Sequence, residues 1–284
     1  ERLASQSLVT NLLIFFAAFL PALWNIIIKS LKNSLVGIAM KVFFQSIIFF
    51  PIIFFVPLPV GITWLFLICS LILHSLYFIL LGSMYNRSDL TFIYPIARGC
   101  APFFVTIISL IFFVDHIPLL GILGILVISL GLILISLENY KKKIDFTLIR
   151  TSLFIAFIIS IYTFFDGAGV RSVDKSETYI VWNFFLGGWV SIAYVYLTEK
   201  KELFELQSKE LFLILIATII SFSAYAIIIW SMKHEPIAFV ASLRESSIII
   251  ASLIGYFILK EKVSYIRLIS GVVFFVGVVL VYNS

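Results

Sequence analysis

Apolar residues run along this chain in long unbroken stretches, and polar residues collect in short connectors between them. Ten stretches are long enough to cross a bilayer, near residues 8–28, 34–55, 60–82, 90–113, 118–137, 148–168, 178–197, 210–231, 236–259 and 264–282. Each comes close to the ~20 residues that a helix rising ~1.5 Å per residue needs to span ~30 Å of hydrocarbon. The runs are apolar on every face, whereas a membrane barrel would show alternating segments of about 10 residues. Helices follow, because lipid offers no hydrogen-bond partner to an open backbone. Connectors such as Glu138–Asp145 and Thr198–Glu202 leave no room for a soluble domain. The pattern predicts an all-α integral membrane protein of ten transmembrane helices, its first run a retained helix and not a signal peptide.

The chain also repeats itself. At a shift of 146 residues Arg98 falls on Arg244, Asp115 on Glu261 and Gly131 on Gly277. One helix earlier a shift of 148 sets Ser75, Tyr77, Ser83 and Met84 on Ser223, Tyr225, Ser231 and Met232. In the first two helices a shift of 141 pairs Asn25 with Asp166, and Phe43-Phe44 with Phe184-Phe185. Two five-helix repeats are expected, residues 1–140 and 141–284. An odd helix count turns the second copy upside down in the membrane. Inverted repeats of this kind are a plan of secondary transporters, with a central cavity and a substrate site near the midplane.

Composition removes the soluble alternatives. Hydrophobic residues make up 62% of the 284 positions and charged residues 12%, with a mean hydropathy of +1.15. A soluble domain carries about 25% charged residues. The net charge of +5 does not point to nucleic acid, because no basic stripe is interleaved with aromatics on a soluble face. Cys69 and Cys100 both fall inside apolar runs, which makes them free buried thiols and not a disulfide framework. His74, His116 and His234 lie far apart, with no HExxH motif, and no GxxxxGK[ST] loop occurs. No cofactor or metal is expected, no enzymatic activity, and no direct ATP drive.

Loop charge sets the expected orientation. Thirteen basic residues, among them Lys29, Arg87, Lys141, Lys142, Lys143 and Lys200, fall on one side, against Arg2, Arg171, Lys175 and Lys233 on the other. The positive-inside rule then puts both termini outside a cell (plasma) membrane.

Charges inside the apolar runs are where chemistry is sought, since each costs about 3 kcal/mol or more at the bilayer centre. Arg98 lies about nine residues into the fourth run and Arg244 about eight into the ninth, so both are deep and the repeat relates them. Two guanidiniums at one level would repel without an anion between them. They are suited to hold carboxylate or phosphate oxygens of a substrate; alternatively each is neutralised by its own partner, such as Glu245 or Asp166. Asp166, beside Gly167 and Gly169, is suited to hold an amine or exchange a proton as a coupling group; alternatively it pairs with Arg171 near the membrane edge. Glu245 is a second coupling candidate, although on a continuous helix it would point about 100° away from Arg244. Lys41 either faces a cavity or snorkels to the headgroups. Trp24, Asn25, Tyr77, Tyr94, Trp182, Asn183, Tyr225 and Trp230 are candidates for an amphipathic cavity wall, each with a packing role as the alternative. Gly121, Gly124, Gly131, Gly271 and Gly277 suggest close helix packing or a dimer face.

Leu243-Arg-Glu-Ser-Ser247, Gly255, Leu259-Lys-Glu261 and Gly271…Gly277 resemble the last two helices of the EamA-type drug/metabolite transporters. Tyr94-Pro-Ile-Ala-Arg-Gly99, Trp24-Asn25 with Lys29, and Asp166-Gly-Ala-Gly-Val-Arg171 resemble one subgroup of that superfamily. The resemblance spans essentially the whole chain and implies ten helices, a central cavity and alternating access for small metabolites. Asp115-His116 departs from it, standing where the first repeat usually carries Glu-Arg. Many superfamily members also have cytoplasmic termini, opposite to the charge count. Two functions are carried forward. One is a secondary transporter of a small polar anion or zwitterion, such as an amino acid or amino-phosphonate, driven by protons or exchange. The other is a flippase for a phospholipid or lipid-linked sugar using the same arginines. The expected partners are a small-molecule substrate and the lipid bilayer, in a monomer or homodimer.

Overall fold

The structure, a computed structural model, describes residues 2–84, 90–112, 114–139, 146–249 and 265–284. The described residues are helical, and no strand occurs among them. The helices are α1 Arg2–Lys29, α2 Ser34–Phe49, α3 Thr63–Met84, α4 Leu90–Ile111, α5 Leu119–Asn139 and α6 Phe146–Arg171. They continue as α7 Ser176–Leu186, α8 Trp189–Thr198, α9 Lys200–Phe204, α10 Ser208–His234, α11 Ile237–Arg244 and α12 Tyr265–Tyr282. Six described segments are long and apolar enough to cross a membrane: Thr10–Lys29, Ser34–Phe55, Thr63–Leu81, Phe146–Arg171, Ser176–Thr198 and Ser208–His234. Shorter apolar helices run over Pro95–Ile111, Leu119–Ile135 and Leu268–Tyr282. The expected span 236–259 starts as α11, but 250–264 lie outside the described residues. Large apolar side chains on the helix surfaces, such as Phe212, Val272 and Phe275, are mostly exposed, as lipid-facing positions require.

Three details depart from the expected runs. The second run ends as helix at Phe49, and Pro51 leads into a short 3-10 turn at Ile52–Phe55. α3 starts only at Thr63, after Gly61 takes a left-handed conformation (φ 57°) open to few other residues. The seventh run breaks at Gly187–Gly188 into α7 and α8. There the Gly188 amide donates to Ser46 Oγ at 2.9 Å, and a Cβ on Gly188 would overlap the backbone of α2 at Val42 and Phe43. Close approach to α2 is what the break provides.

By spatial contact the chain forms two compact units. The first comprises Glu1–Phe19, Asp89–Phe164 and His234–Ser284; the second comprises Leu20–Ser88 and Phe165–Lys233. α1 and α6 each contribute to both, and each unit draws helices from both halves of the sequence.

In the first unit α5 packs along α12, and α4 packs on α5 and α11. Glycines make the α5–α12 contact backbone to backbone. A Cβ on Gly277 would lie 2.7 Å from Gly124 O and from Ile128 N, and one on Gly131 would lie 2.9 Å from Ser270 O. Asp115 Oδ2 accepts from Ile237 N at 2.8 Å, so this loop carboxylate caps the start of α11.

In the second unit α2 packs against α3, α7 and α8. Asn33 starts α2 by accepting from Leu35 N at 3.0 Å and Val36 N at 3.2 Å. Leu35, Val36, Ala39 and Val195 then form a buried apolar cluster. Farther along, the rings of Phe49, Phe184 and Phe222 meet edge to face, with Phe49 5.1 Å from Phe184 and 5.2 Å from Phe222.

Candidate functional site

Each unit holds its own buried polar cluster. In the first, Glu245 lies between two arginines. Arg98 Nε from α4 stands 2.7 Å from Glu245 Oε2, and Arg244 Nε at the end of α11 stands 3.3 Å from Oε1. All three side chains are buried, the carboxylate completely. The expected 100° divergence of Glu245 from Arg244 does not occur, because the helix does not continue through it. α11 ends at Arg244, Glu245 forms a turn whose amide bonds Ser242 O at 3.2 Å, and helix resumes at 246. That turn swings the carboxylate back onto the guanidinium of its own neighbour. The Arg244 contact is a charge-assisted hydrogen bond, stronger than a neutral one, and Arg98 holds the carboxylate as an ion pair. Ser242, Ser246 and Ser247 are buried around this turn. A cavity of about 280 Å³ nearby is lined mainly by apolar groups such as Phe15, Phe239 and Leu243, and the two arginines do not line it.

In the second unit the centre is Asp166, fully buried on α6. Its Oδ1 accepts from Ser70 Oγ at 2.5 Å, Tyr179 OH at 2.9 Å and Asn183 Nδ2 at 3.0 Å. Its Oδ2 accepts from Tyr225 OH at 2.5 Å and lies 3.9 Å from His74 Nδ1. His74 Nδ1 is also 3.1 Å from Ser70 Oγ, and its ring packs against Tyr225 at 5.3 Å. Neutral donors from α3, α7 and α10 thus solvate a carboxylate that lipid would not. Gly169, one turn beyond Asp166, is where the Tyr179 ring passes, and any Cβ there would overlap it. Arg171 does not pair with Asp166; it donates to Met232 O at 2.7 Å.

Replacing Asp166 by alanine is therefore expected to leave several buried donors without an acceptor, at roughly 1–3 kcal/mol for each that finds no substitute. Asp166→Asn keeps an acceptor oxygen and should unfold close to wild type. The two variants compared in chemical unfolding from detergent micelles test this; equal midpoints would remove the role given to the carboxylate network.

Lys41 belongs to the second unit too. It does not snorkel: the side chain is 2% exposed. Its Nζ donates to Ser221 Oγ at 2.7 Å and lies over the rings of Trp24 at 4.3 Å and Phe78 at 4.9 Å. Among the described residues no carboxylate lies within ion-pair distance of it. Each cation–π contact is worth about 2 kcal/mol when desolvated, and a hydrogen bond to a charged group about 1.5–3 kcal/mol. A buried ion's effective penalty is several kcal/mol, so these contacts offset its cost without the surplus a carboxylate would supply.

The remaining sequence candidates are dispersed. Trp182 Nε1 donates to Pro57 O at 3.1 Å and its ring meets Trp64 at 5.5 Å, away from the carboxylate. Asn25 Nδ2 donates to Pro21 O at 2.8 Å inside α1. Tyr77 is buried with its ring 5.5 Å from Phe78. The side chain of Tyr94 lies outside the described residues. Sequence reading missed Ser70, Tyr179 and Ser221 and left His74 without a role. Ser70 with His74 and Tyr179 with Asn183 are spaced i,i+4, which places each pair on one helix face; that spacing was the available signal.

Long apolar helices carrying charged clusters inside their packing define the class: a multi-pass helical membrane protein. Residues 148–283 match the model of the EamA-like transporter family, the family that the motifs in that part of the sequence resemble. No curated protein matches the chain. A solved structure described as "Crystal structure of protein" is similar over 96% of this chain and 98% of that one, with a TM-score of 0.75 at 14% identity. A likeness at that identity concerns the fold alone.

Proposed function

We propose that the chain is a secondary active transporter, built as ten transmembrane helices in two inverted repeats, that moves a small polar anion or zwitterion by alternating access. An amino acid or amino-phosphonate fits the reading, with Arg98 and Arg244 holding its oxyanion. Asp166 and Glu245 are the groups that couple movement to protons or exchange. Both termini lie outside, in the plasma membrane. One observation carries this: a fully buried carboxylate, Glu245, is shared by two arginines from two different helices. Packing alone does not call for that arrangement, because apolar residues of similar volume are often as stabilising as a buried ion pair. The family match supports a transporter.

The test is thermal stabilisation of the purified protein across small carboxylates, phosphates, amino acids and phospholipid headgroups, run beside Arg98→Gln and Arg244→Gln. A ligand at 100 times its Kd stabilises the folded state by about 2.7 kcal/mol through mass action. A soluble anion or zwitterion should raise the wild-type midpoint and leave both variants unmoved. Equal responses in all three proteins would sink the role of the arginines, and a response to lipid headgroups alone would favour a flippase.

A further inference from the structure

We propose that Lys41 and Ser221 form a second oxyanion-binding site, made from the second unit alone, for the carboxylate or phosphate group of a small ligand. An ammonium has three N–H donors. One of Lys41's goes to Ser221 Oγ, and among the described residues the faces of Trp24 and Phe78 also lie against it, which attract a cation but take no directed hydrogen bond as an oxyanion does. Ser221 accepts from Lys41 and so keeps its own O–H to donate. A further contact ties the two helices: Thr218, one turn before Ser221 on α10, lies with Oγ1 3.1 Å from Lys41 O, its single hydrogen shared with Ile214 O at 2.8 Å. A positive charge, a hydroxyl donor and two aromatic walls at one buried point match an oxyanion on a compact organic body. One titratable cluster of this unit, Asp166 with His74, is linked to Lys41 through Phe78, whose ring lies 5.9 Å from that of His74. A carboxylate already sits there, so the anion is assigned to Lys41 and not to that end.

Trp24 is a built-in reporter, since the ammonium lies on its ring. The full chain in detergent micelles would be titrated at constant ionic strength with sodium acetate, with sodium phosphate, and with anionic phospholipid added as mixed micelles. Tryptophan fluorescence and thermal midpoint are both read. A saturable change in wild type is expected, its fluorescence part lost in Trp24→Phe. Lys41→Met should raise the apparent Kd at least tenfold. Ser221→Ala, which keeps the ammonium and its packing, should weaken binding several-fold and decides the matter if Lys41→Met does not fold. Response to soluble phosphate or acetate identifies a metabolite oxyanion; response to the phospholipid alone identifies a headgroup, and either supports the site. Wild-type affinity in Lys41→Met, or in Ser221→Ala if the lysine variant does not fold, overturns it, as does no saturable response to any probe. Arg98→Gln in the same titration reports separately on the arginine cluster: loss there with retention in Lys41→Met overturns this site and leaves the transporter reading intact.

Discussion

Glu245→Gln is expected to be the most damaging single change of a polar group in the first unit. It keeps the size of the side chain and removes the charge that stands between Arg98 and Arg244. Breaking a buried ion pair by deleting one partner costs about 3–5 kcal/mol, chiefly because an uncompensated charge is left in a low-dielectric interior. Here two guanidiniums would face each other. The midpoint of chemical unfolding in micelles should fall accordingly. The double variant Arg98→Gln/Glu245→Gln should be more stable than Glu245→Gln alone, since residues in one ion cluster couple strongly. A single variant as stable as wild type would mean that Glu245 does not hold the arginines together.

Gly277→Val should disrupt the first unit as severely, for a reason unrelated to charge. The added Cβ would sit 2.7 Å from Gly124 O, Ile128 N and Ile128 Cγ1, and backbone atoms of a packed helix cannot rotate away as a side-chain tip can. Overpacking costs about 1–3 kcal/mol and more where the backbone must move. Six residues earlier on α12, Gly271 provides the control, because a Cβ there meets nothing within 4 Å. Gly271→Ala should be neutral or stabilising by up to about 1 kcal/mol, from helix propensity. Thermal unfolding of the two variants separates the effects. If Gly277→Val instead changed the oligomeric state with no loss of stability, the glycines would serve a dimer face and not the α5–α12 contact.

Much of the fold is legible in the order of residues because lipid is an exacting solvent. It demands long apolar runs and internally bonded backbones, and these runs are visible one residue at a time. Arg98 and Arg244 stand out because a charge in such a run is costly and because a shift of 146 residues sets one on the other in the sequence. Asp166, Asn183 and Tyr225 are recognisable as polar exceptions in apolar helices, and they do meet. That Ser70 and Tyr179 join them is not recognisable, because serine and tyrosine are common in membrane helices and which face meets which helix depends on packing. Lys41 shows the same limit. Its long stem is compatible with snorkelling or with burial, and only the neighbours Trp24, Phe78 and Ser221 decide between them.

Sequence alone determined that this chain lives in a membrane, roughly where most of the described helices stand, and which charges are buried at a cost. These follow from composition and periodicity, which are properties of single segments. Tertiary structure decided how the charges are shared. The turn at Glu245 interrupts a helix that a continuous 100° rotation per residue would have carried past its arginine, and the donors around Asp166 arrive from α3, α7 and α10. Such contacts join residues far apart in the chain, 109 positions for Thr63 and Ser172 and 180 for Lys41 and Ser221. No local pattern encodes them, because each depends on the rotation and depth at which two helices settle against one another.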